Sequence, residues 1–173
     1  MALWQPSTAP GVARPARRPP RSPNARLPAS RARRAPARPA DHALRILLVH
    51  GAWWDRLTAA DHELLHGLPE PHGALCAWLE RHWNEHGASP WSALAERLAD
   101  TEWHGFAQAL VTPASLDDPI DFTELRGVVD RLWVERLKAE ETRLIADAAS
   151  DPTALRRYRE VQERRRLLEK GPG

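Results

Sequence analysis

Residues 62–66, His-Glu-Leu-Leu-His, have the spacing of the H-E-x-x-H motif of zinc metallopeptidases. In that motif two histidines one helical turn apart bind the metal, and the glutamate between them acts as a general base. His72 follows at the spacing of a third ligand. The pattern raises the hypothesis of a zinc peptidase centred on His62, Glu63 and His66.

Three features of the sequence argue against this hypothesis. Pro69 stands where the extended motif has a glycine, and the only methionine is Met1, so the Met-turn of such enzymes is absent. Just 21 residues separate the motif from the low-complexity residues 1–40, which leaves no room for a sheet beside a substrate cleft. On a helical wheel both histidines lie opposite the leucines of the same helix, which predicts solvated surface positions.

The other reactive residue types form no recognisable catalytic pattern. His82 and His86 are a second pair one turn apart, for which we also predict surface positions, and Cys76 is predicted to be a small buried thiol. The sequence contains no G-x-S-x-G, no phosphate-binding glycine loop and no pair of carboxylates suited to acid–base chemistry. We therefore predict no catalytic residue, no metal site and no cofactor in this chain.

Charge is divided unevenly along the 173 residues, although the formal net charge is only +2. Residues 1–40 hold nine Arg, nine Pro, ten Ala and no acidic residue, whereas residues 41–120 hold 4 basic and 12 acidic residues. The basic segment is predicted to be a disordered linker, with weak non-specific DNA contact as the alternative. The acidic body makes a poor surface for nucleic acid.

No segment reaches 18 consecutive apolar residues, none resembles a signal peptide, and one cysteine permits no intrachain disulfide. These features favour a soluble cytoplasmic protein without membrane contact. Residues 41–173 are rich in Leu, Ala, Glu and Arg and nowhere alternate for long with period two, which predicts an all-α fold.

Cap and turn residues predict a bundle of five short helices, with the seven tryptophans after residue 50 mostly in its core and at its edges. The predicted helix starts lie near Asp41, at Thr58, after Pro71, at Ser89-Pro90 and at Thr101, and the predicted stops include Gly51, Gly67 and Gly87.

A long helix is predicted over residues 122–149, with Asp121 as its cap and an apolar stripe that completes the bundle as far as Trp133. Such a helix is roughly 40 Å long, and between Leu137 and Leu144 it has no large apolar side chain. We expect that polar stretch to be a projecting connector. The predicted division is a linker over 1–40, a bundle over 41–137 and a C-terminal helical hairpin over 138–173.

The second arm of the hairpin is predicted to run from Pro152 to Lys170, with Asp151 as its N-cap. Its narrow apolar seam offers little area for a free-standing unit, so the hairpin either binds a partner or folds back on the bundle. Both alternatives are open at this stage. The seam is predicted to contain Leu155, Tyr158, Val161 and Leu168, interrupted by Gln162 and Arg165 and faced by Leu144, Ile145 and Ala148.

The order of these elements resembles the C-terminal helicase-binding domain of bacterial DNA primases: short helices, a long helix and a terminal hairpin. The likeness covers roughly residues 42–170, and it rests on helical patterns in combination rather than on one sharp motif. Three stretches carry it: LRILLVHGAWWD over 44–55, LPEPHGALCAWL over 68–79, and FTELRGVVDRLWVERLKAEETRLI over 122–145 followed by DPTALRRYREVQERRRLLE over 151–169.

The resemblance implies a role in DNA replication, in the primosome: the domain attaches primase to the N-terminal domains of the hexameric replicative helicase for primer synthesis. The zinc-binding and catalytic domains of a DNA primase, a nucleotidyltransferase, have no counterpart in this chain, which suggests a fragment or a relic of such an enzyme. The alternatives are a nucleic-acid-binding protein acting through residues 1–40 and the zinc peptidase. Carried onto this sequence, the helicase-binding residues would be Leu144, Ile145, Leu155, Tyr158, Val161, Arg165 and Leu168.

Overall fold

Helices account for all of the regular structure in the described part of the chain. A computed structural model describes residues 1, 38–111, 119–151 and 153–170, and no strand occurs among them. The predicted all-α fold is confirmed. The helices are α1 (Pro39–Val49), a 3₁₀ helix (Gly51–Arg56), α2 (Ala59–His66), α3 (His72–His86), α4 (Trp91–Leu98), α5 (His104–Leu110), α6 (Phe122–Asp147) and α7 (Ala154–Lys170).

Most of the predicted helix ends agree with the structure. Thr58 caps α2, and Gly87 follows α3 with φ of +77°, a conformation that glycine adopts without steric cost. Asp121 caps α6, because its carboxylate accepts a hydrogen bond of 3.0 Å from the Glu124 N–H. The predicted cap at Thr101 is wrong. Its hydroxyl donates to the Leu98 carbonyl at 2.8 Å and so belongs to the end of α4.

Helix α1 is the centre of the bundle. Its residues Ala43, Leu44, Ile46, Leu47 and Leu48 are fully buried. A helix that is apolar around most of its circumference needs neighbours on several sides. It has them, since α3, α4, α5, α6 and the 3₁₀ helix all pack against it.

The core receives side chains from every element between α1 and α6. Trp54 and Trp83 are buried within it, and the other five tryptophans after residue 50 are partly buried at its edge, as predicted. Gly73 shows how tightly α3 meets the end of α2: a Cβ at this position would lie 2.5 Å from the Leu68 carbonyl oxygen and 2.6 Å from that of His66. Only glycine fits there.

One buried carboxylate connects α2 to α6. Asp61 is 2 % exposed, and it forms a reciprocal capping box with Thr58, in which each side chain accepts a hydrogen bond from the other residue's backbone N–H. The Arg126 guanidinium donates to both carboxylate oxygens, at 2.7 and 3.0 Å. The indole N–H of Trp133 donates to Oδ1 at 2.8 Å. Every lone-pair direction of this carboxylate is thus used within the chain.

The hydrogen bonds outweigh burial in setting the charge state of Asp61. Burial alone would raise the pKa of its carboxyl, but donors from Arg126, Trp133 and Thr58 together hold that pKa below its ordinary value. Asp61 is therefore ionised in the folded protein, and the pair with Arg126 is a salt bridge whose carboxylate is withdrawn from water.

We expect Asp61→Asn to lower the free energy of unfolding by about 1–3 kcal/mol, because an amide has one acceptor oxygen in place of two and leaves donors from Arg126, Trp133 or Thr58 unsatisfied, although Arg126 keeps its ion pair with Asp130. Chemical denaturation monitored by circular dichroism measures this difference. Glu63→Gln, on the exposed side of the same helix, is the matched control and should change stability by about 0.5 kcal/mol or less. An Asp61→Asn protein as stable as the wild type would contradict the assignment.

We expect low pH to remove the stabilisation that the ionised Asp61 carboxylate provides. Because the folded state lowers the pKa of Asp61, this group stabilises the fold at pH values above its ordinary pKa, and the contribution is lost as pH falls through the lowered, folded-state pKa. We therefore expect the wild type to lose stability more steeply than Asp61→Asn below about pH 4. Parallel pH–stability curves for the two proteins would exclude Asp61 as a titrating stabiliser.

Candidate partner-binding hairpin

The C-terminal hairpin has one long continuous arm and one shorter arm. Helix α6 is unbroken from Phe122 to Asp147, so the polar residues 138–143 lie on helix and not in a hinge. The chain then turns at Asp151, whose carboxylate accepts hydrogen bonds from the Thr153 N–H at 2.8 Å and hydroxyl at 2.7 Å. Helix α7 begins at Ala154 and returns along α6.

The middle of the seam between the two arms is ionic. Arg165 Nε donates to Glu141 Oε1 at 2.7 Å, and both side chains are mostly shielded from water. Arg165 also donates to Glu169, which lowers the pKa of the Glu169 carboxyl, and Lys138 Nζ lies 3.5 Å from the same carboxylate. Two of the polar residues 138–143, Lys138 and Glu141, thus have partners on α7. That this stretch is a projecting connector stays a prediction.

Apolar contacts complete the seam on either side of these ion pairs. Leu137 and Ala154 are buried, although neither belongs to the core cluster of the bundle. Leu144, Tyr158, Val161 and Leu168 are half-buried. The division of the chain into units at residue 137 stays a prediction. The structure does show that α7 reaches back beyond that point, since Leu168 and Val134 line one cleft.

Trp133 is the side chain that contacts both the bundle and α7. Its indole N–H donates to Asp61 of α2, and the Arg164 guanidinium of α7 lies over its ring, 4.5 Å from the centroid. Such a cation–π contact contributes about 0.5–1 kcal/mol at a partly exposed site. The Trp133 ring therefore connects the last turns of α7 to the capping box of α2.

The structure sorts the seven predicted helicase-binding residues into two groups. Leu144, Tyr158, Val161, Arg165 and Leu168 are half-buried in the hairpin, and Arg165 is engaged by Glu141 and Glu169. Ile145 and Leu155 are 59 % and 55 % exposed. The predicted seam positions of these two residues are wrong, because each lies about 100° around its helix from the adjacent residue that faces the other arm.

The hairpin carries exposed large apolar side chains. In the described ranges after Met1, the large apolar residues that are exposed are Ile145, Leu155 and Leu167, the last at 64 %. Ile145 and Leu155 flank the turn between the arms, and Leu167 lies near the far end of α7. The bundle, by contrast, buries at least part of each large apolar side chain that the structure describes.

The histidines of the H-E-x-x-H sequence pack against neighbouring side chains. His62 stacks on Trp54 with ring centroids 4.2 Å apart, and its Nε2 lies 3.0 Å from the Trp54 carbonyl oxygen. A Glu80 oxygen lies 3.2 Å from His66 Nε2. The prediction of solvated positions is wrong, because α3 and the 3₁₀ helix contact this side of α2. His72 is separate from this pair, since its Nε2 is 2.6 Å from Asp41 Oδ1.

In the second histidine pair, His86 is exposed as predicted, but His82 is not. His82 is buried between Trp78, on which it stacks at 5.2 Å, and His86, and burial lowers its pKa. Cys76 is buried as predicted, and burial raises its pKa to about 12. Across residues 38–111, 119–151 and 153–170, no three His, Cys, Asp or Glu side chains are placed to bind one metal ion.

The chain matches no family model, no curated protein and no solved structure. Residues 2–37, to which the linker and DNA-contact predictions chiefly refer, lie outside the described residues. None of the described helices is both long and apolar enough to cross a membrane.

Four residues where the hairpin meets the bundle make contacts that sequence reasoning did not predict: Asp61, Arg126, Trp133 and Arg164. The sequence does contain one signal for them. Thr58 and Asp61 have the spacing of a capping box with aspartate in place of the usual glutamate or glutamine. No pattern in the sequence indicates that Arg126, 65 residues later, would bind that same carboxylate.

We expect Glu141→Leu to increase hydrogen exchange of the α7 amides, because it removes the acceptor of a shielded Arg165. The double variant Glu141→Leu with Arg165→Leu should recover slow exchange, since apolar residues of similar size often replace a shielded ion pair without loss. Glu140→Leu, at an exposed position one residue away, is the control. Unchanged exchange in Glu141→Leu would mean that this pair does not stabilise the hairpin.

Proposed function

We propose that this chain is a docking module whose C-terminal hairpin binds the N-terminal domains of a hexameric replicative helicase. One observation carries the proposal: the exposed large apolar side chains of the described residues after Met1 all lie on the hairpin. The resemblance to the helicase-binding domain of DNA primases supplies the identity of the partner. On this proposal the chain recruits a primase to the helicase in DNA replication and makes no primer itself.

The construction of the hairpin supports a docking role. The continuous α6 is about 39 Å long, and its first part is anchored in the bundle by Leu125, Val128, Val129 and Leu132, which are buried. Its second part packs against α7, and α7 in turn makes its close packing with α6. The turn between the arms is thus presented at the end of a helix that the bundle fixes in direction.

The small apolar area in the seam of the hairpin also favours a docking role. The seam is part ionic and part apolar, so it buries little apolar area for two helices of this length. Burying one Leu or Ile side chain completely contributes about 1.5–3 kcal/mol. Ile145, Leu155 and Leu167 are more than half exposed and still have most of that contribution to gain. A protein partner that covers them would stabilise both the complex and the hairpin.

We expect the double variant Ile145→Ser with Leu155→Ser to bind the replicative helicase of the same organism at least about tenfold more weakly than the wild type. Both side chains are exposed, so helix content should not change, and circular dichroism checks this. Isothermal titration calorimetry with the helicase N-terminal domains measures the affinity.

The matched control is Ala60→Ser with Ala93→Ser, which introduces two serines at exposed positions of α2 and α4, outside the hairpin. It should bind as the wild type does. Equal affinity of all three folded proteins would exclude the turn of the hairpin as the docking surface, and absence of wild-type binding would exclude the helicase as the partner.

A further inference from the structure

Five of the six arginines of α7 divide into two sets by what they contact, and the sixth, Arg157, is exposed on another side of the helix. Arg164 lies over the Trp133 ring, and Arg165 pairs with Glu141 and Glu169. Arg156, Arg159 and Arg166 are exposed, and within the described residues they form no ion pair. Two arginines thus stabilise the hairpin, and three present their guanidinium groups to the surroundings.

The three exposed arginines share one face of α7. Positions 156, 159, 163, 166 and 170 are spaced by three and four residues in turn, which places them along one side of a helix. Arg159, Arg166, Leu167 and Lys170 line the same shallow depression, which confirms their proximity. We call this side, with residues 155, 156, 159, 163, 166, 167 and 170, the outer face of α7. It is directed away from the seam.

The outer face carries apolar and basic groups and one carboxylate, that of Glu163. Leu155 and Leu167 are both more than half exposed, and they lie about 18 Å apart along the helix axis. The basic groups lie between them and beyond Leu167. Arginines spaced by three and four residues repel one another on a helix surface. In the described part of the chain this repulsion is not offset by carboxylates within ion-pair distance of the three arginines.

We infer that the outer face of α7 binds an acidic amphipathic protein surface, with an apolar stripe that covers Leu155 and Leu167 and carboxylates that pair with Arg156, Arg159 and Arg166. The inference rests on the proposed docking function and specifies the chemistry of the partner. A guanidinium is planar and donates two parallel hydrogen bonds to a carboxylate, so each pair fixes orientation as well as charge.

The exposed apolar side chains favour a protein surface over nucleic acid. The exposed Leu155 and Leu167 have no role in phosphate contact but contribute to a protein interface when covered. The complementary surface needs about 18 Å of helix, which corresponds to roughly 12 residues.

The test compares two variants that lose the same number of positive charges. The first is Arg156→Gln with Arg159→Gln and Arg166→Gln, on the outer face. The matched control is Arg38→Gln with Arg81→Gln and Arg97→Gln, at exposed positions outside the hairpin. Affinity for the helicase N-terminal domains is measured by calorimetry between about 0.05 and 0.5 M salt, a range over which exposed charges become screened.

The outer-face variant should bind at least about tenfold more weakly at low salt and should lose most of the salt dependence, whereas the control should behave as the wild type. Equal affinity and equal salt dependence of the two variants would overturn the inference. The proposed function would stand in that case, because helicase binding itself would be intact.

A second probe applies if the helicase does not bind at all, which would overturn the proposed function alone. It is a synthetic helical peptide of about 18 residues with Glu flanking a Leu stripe, compared with its Glu→Lys counterpart and with single-stranded oligothymidylate. Preference of the wild type for the acidic peptide, reduced in the outer-face variant, supports the inference. Tighter binding of the oligonucleotide or of the Lys peptide overturns it.

Discussion

The carboxylate of Asp61 accepts hydrogen bonds from Thr58 at the start of α2 and from two places on α6. Thr58 makes it part of the cap of α2, while Arg126 and Trp133 bring the long helix to it. A buried ionised carboxylate is costly unless all of its acceptor sites are used. The position of α6 along α2 is therefore constrained more tightly by this one group than by the surrounding leucines, which tolerate small displacements.

The hydrogen bonds of Asp61 also determine where the hairpin lies. Trp133 is oriented by its hydrogen bond to Asp61, and the exposed face of its ring is where Arg164 of α7 lies. The cap of α2 thus positions Trp133, and Trp133 in turn positions the last turns of α7. A docking surface that must meet a partner at a fixed angle benefits from such an arrangement, because no hinge separates it from the bundle.

The fold class, most helix ends and the buried tryptophans could be predicted, because apolar periodicity, Gly87 and the caps at Thr58 and Asp121 are local signals. The surroundings of His62 and His82 could not, since these depend on which helices pack beside them. Ile145 and Leu155 show a second limit. A helical wheel identifies a stripe of leucines, but only the rotation of the two arms decides which members of the stripe face each other. In the sequence, Glu141 and Arg165 interrupt the apolar pattern of their helices. Nothing in the sequence indicates that these two residues, 24 positions apart, pair with each other.

The ion pair in the middle of the seam has a consequence for the alignment of the two arms. A purely apolar seam permits one helix to slide by a turn, about 5.4 Å, and repack with similar contacts. Such a shift of α7 would place Glu141 beside Val161 or Leu168 and leave Arg165 against apolar neighbours. Because an unpaired charge in the seam is costly, the Glu141–Arg165 pair selects a single register, as a polar residue at one core position does in a coiled coil.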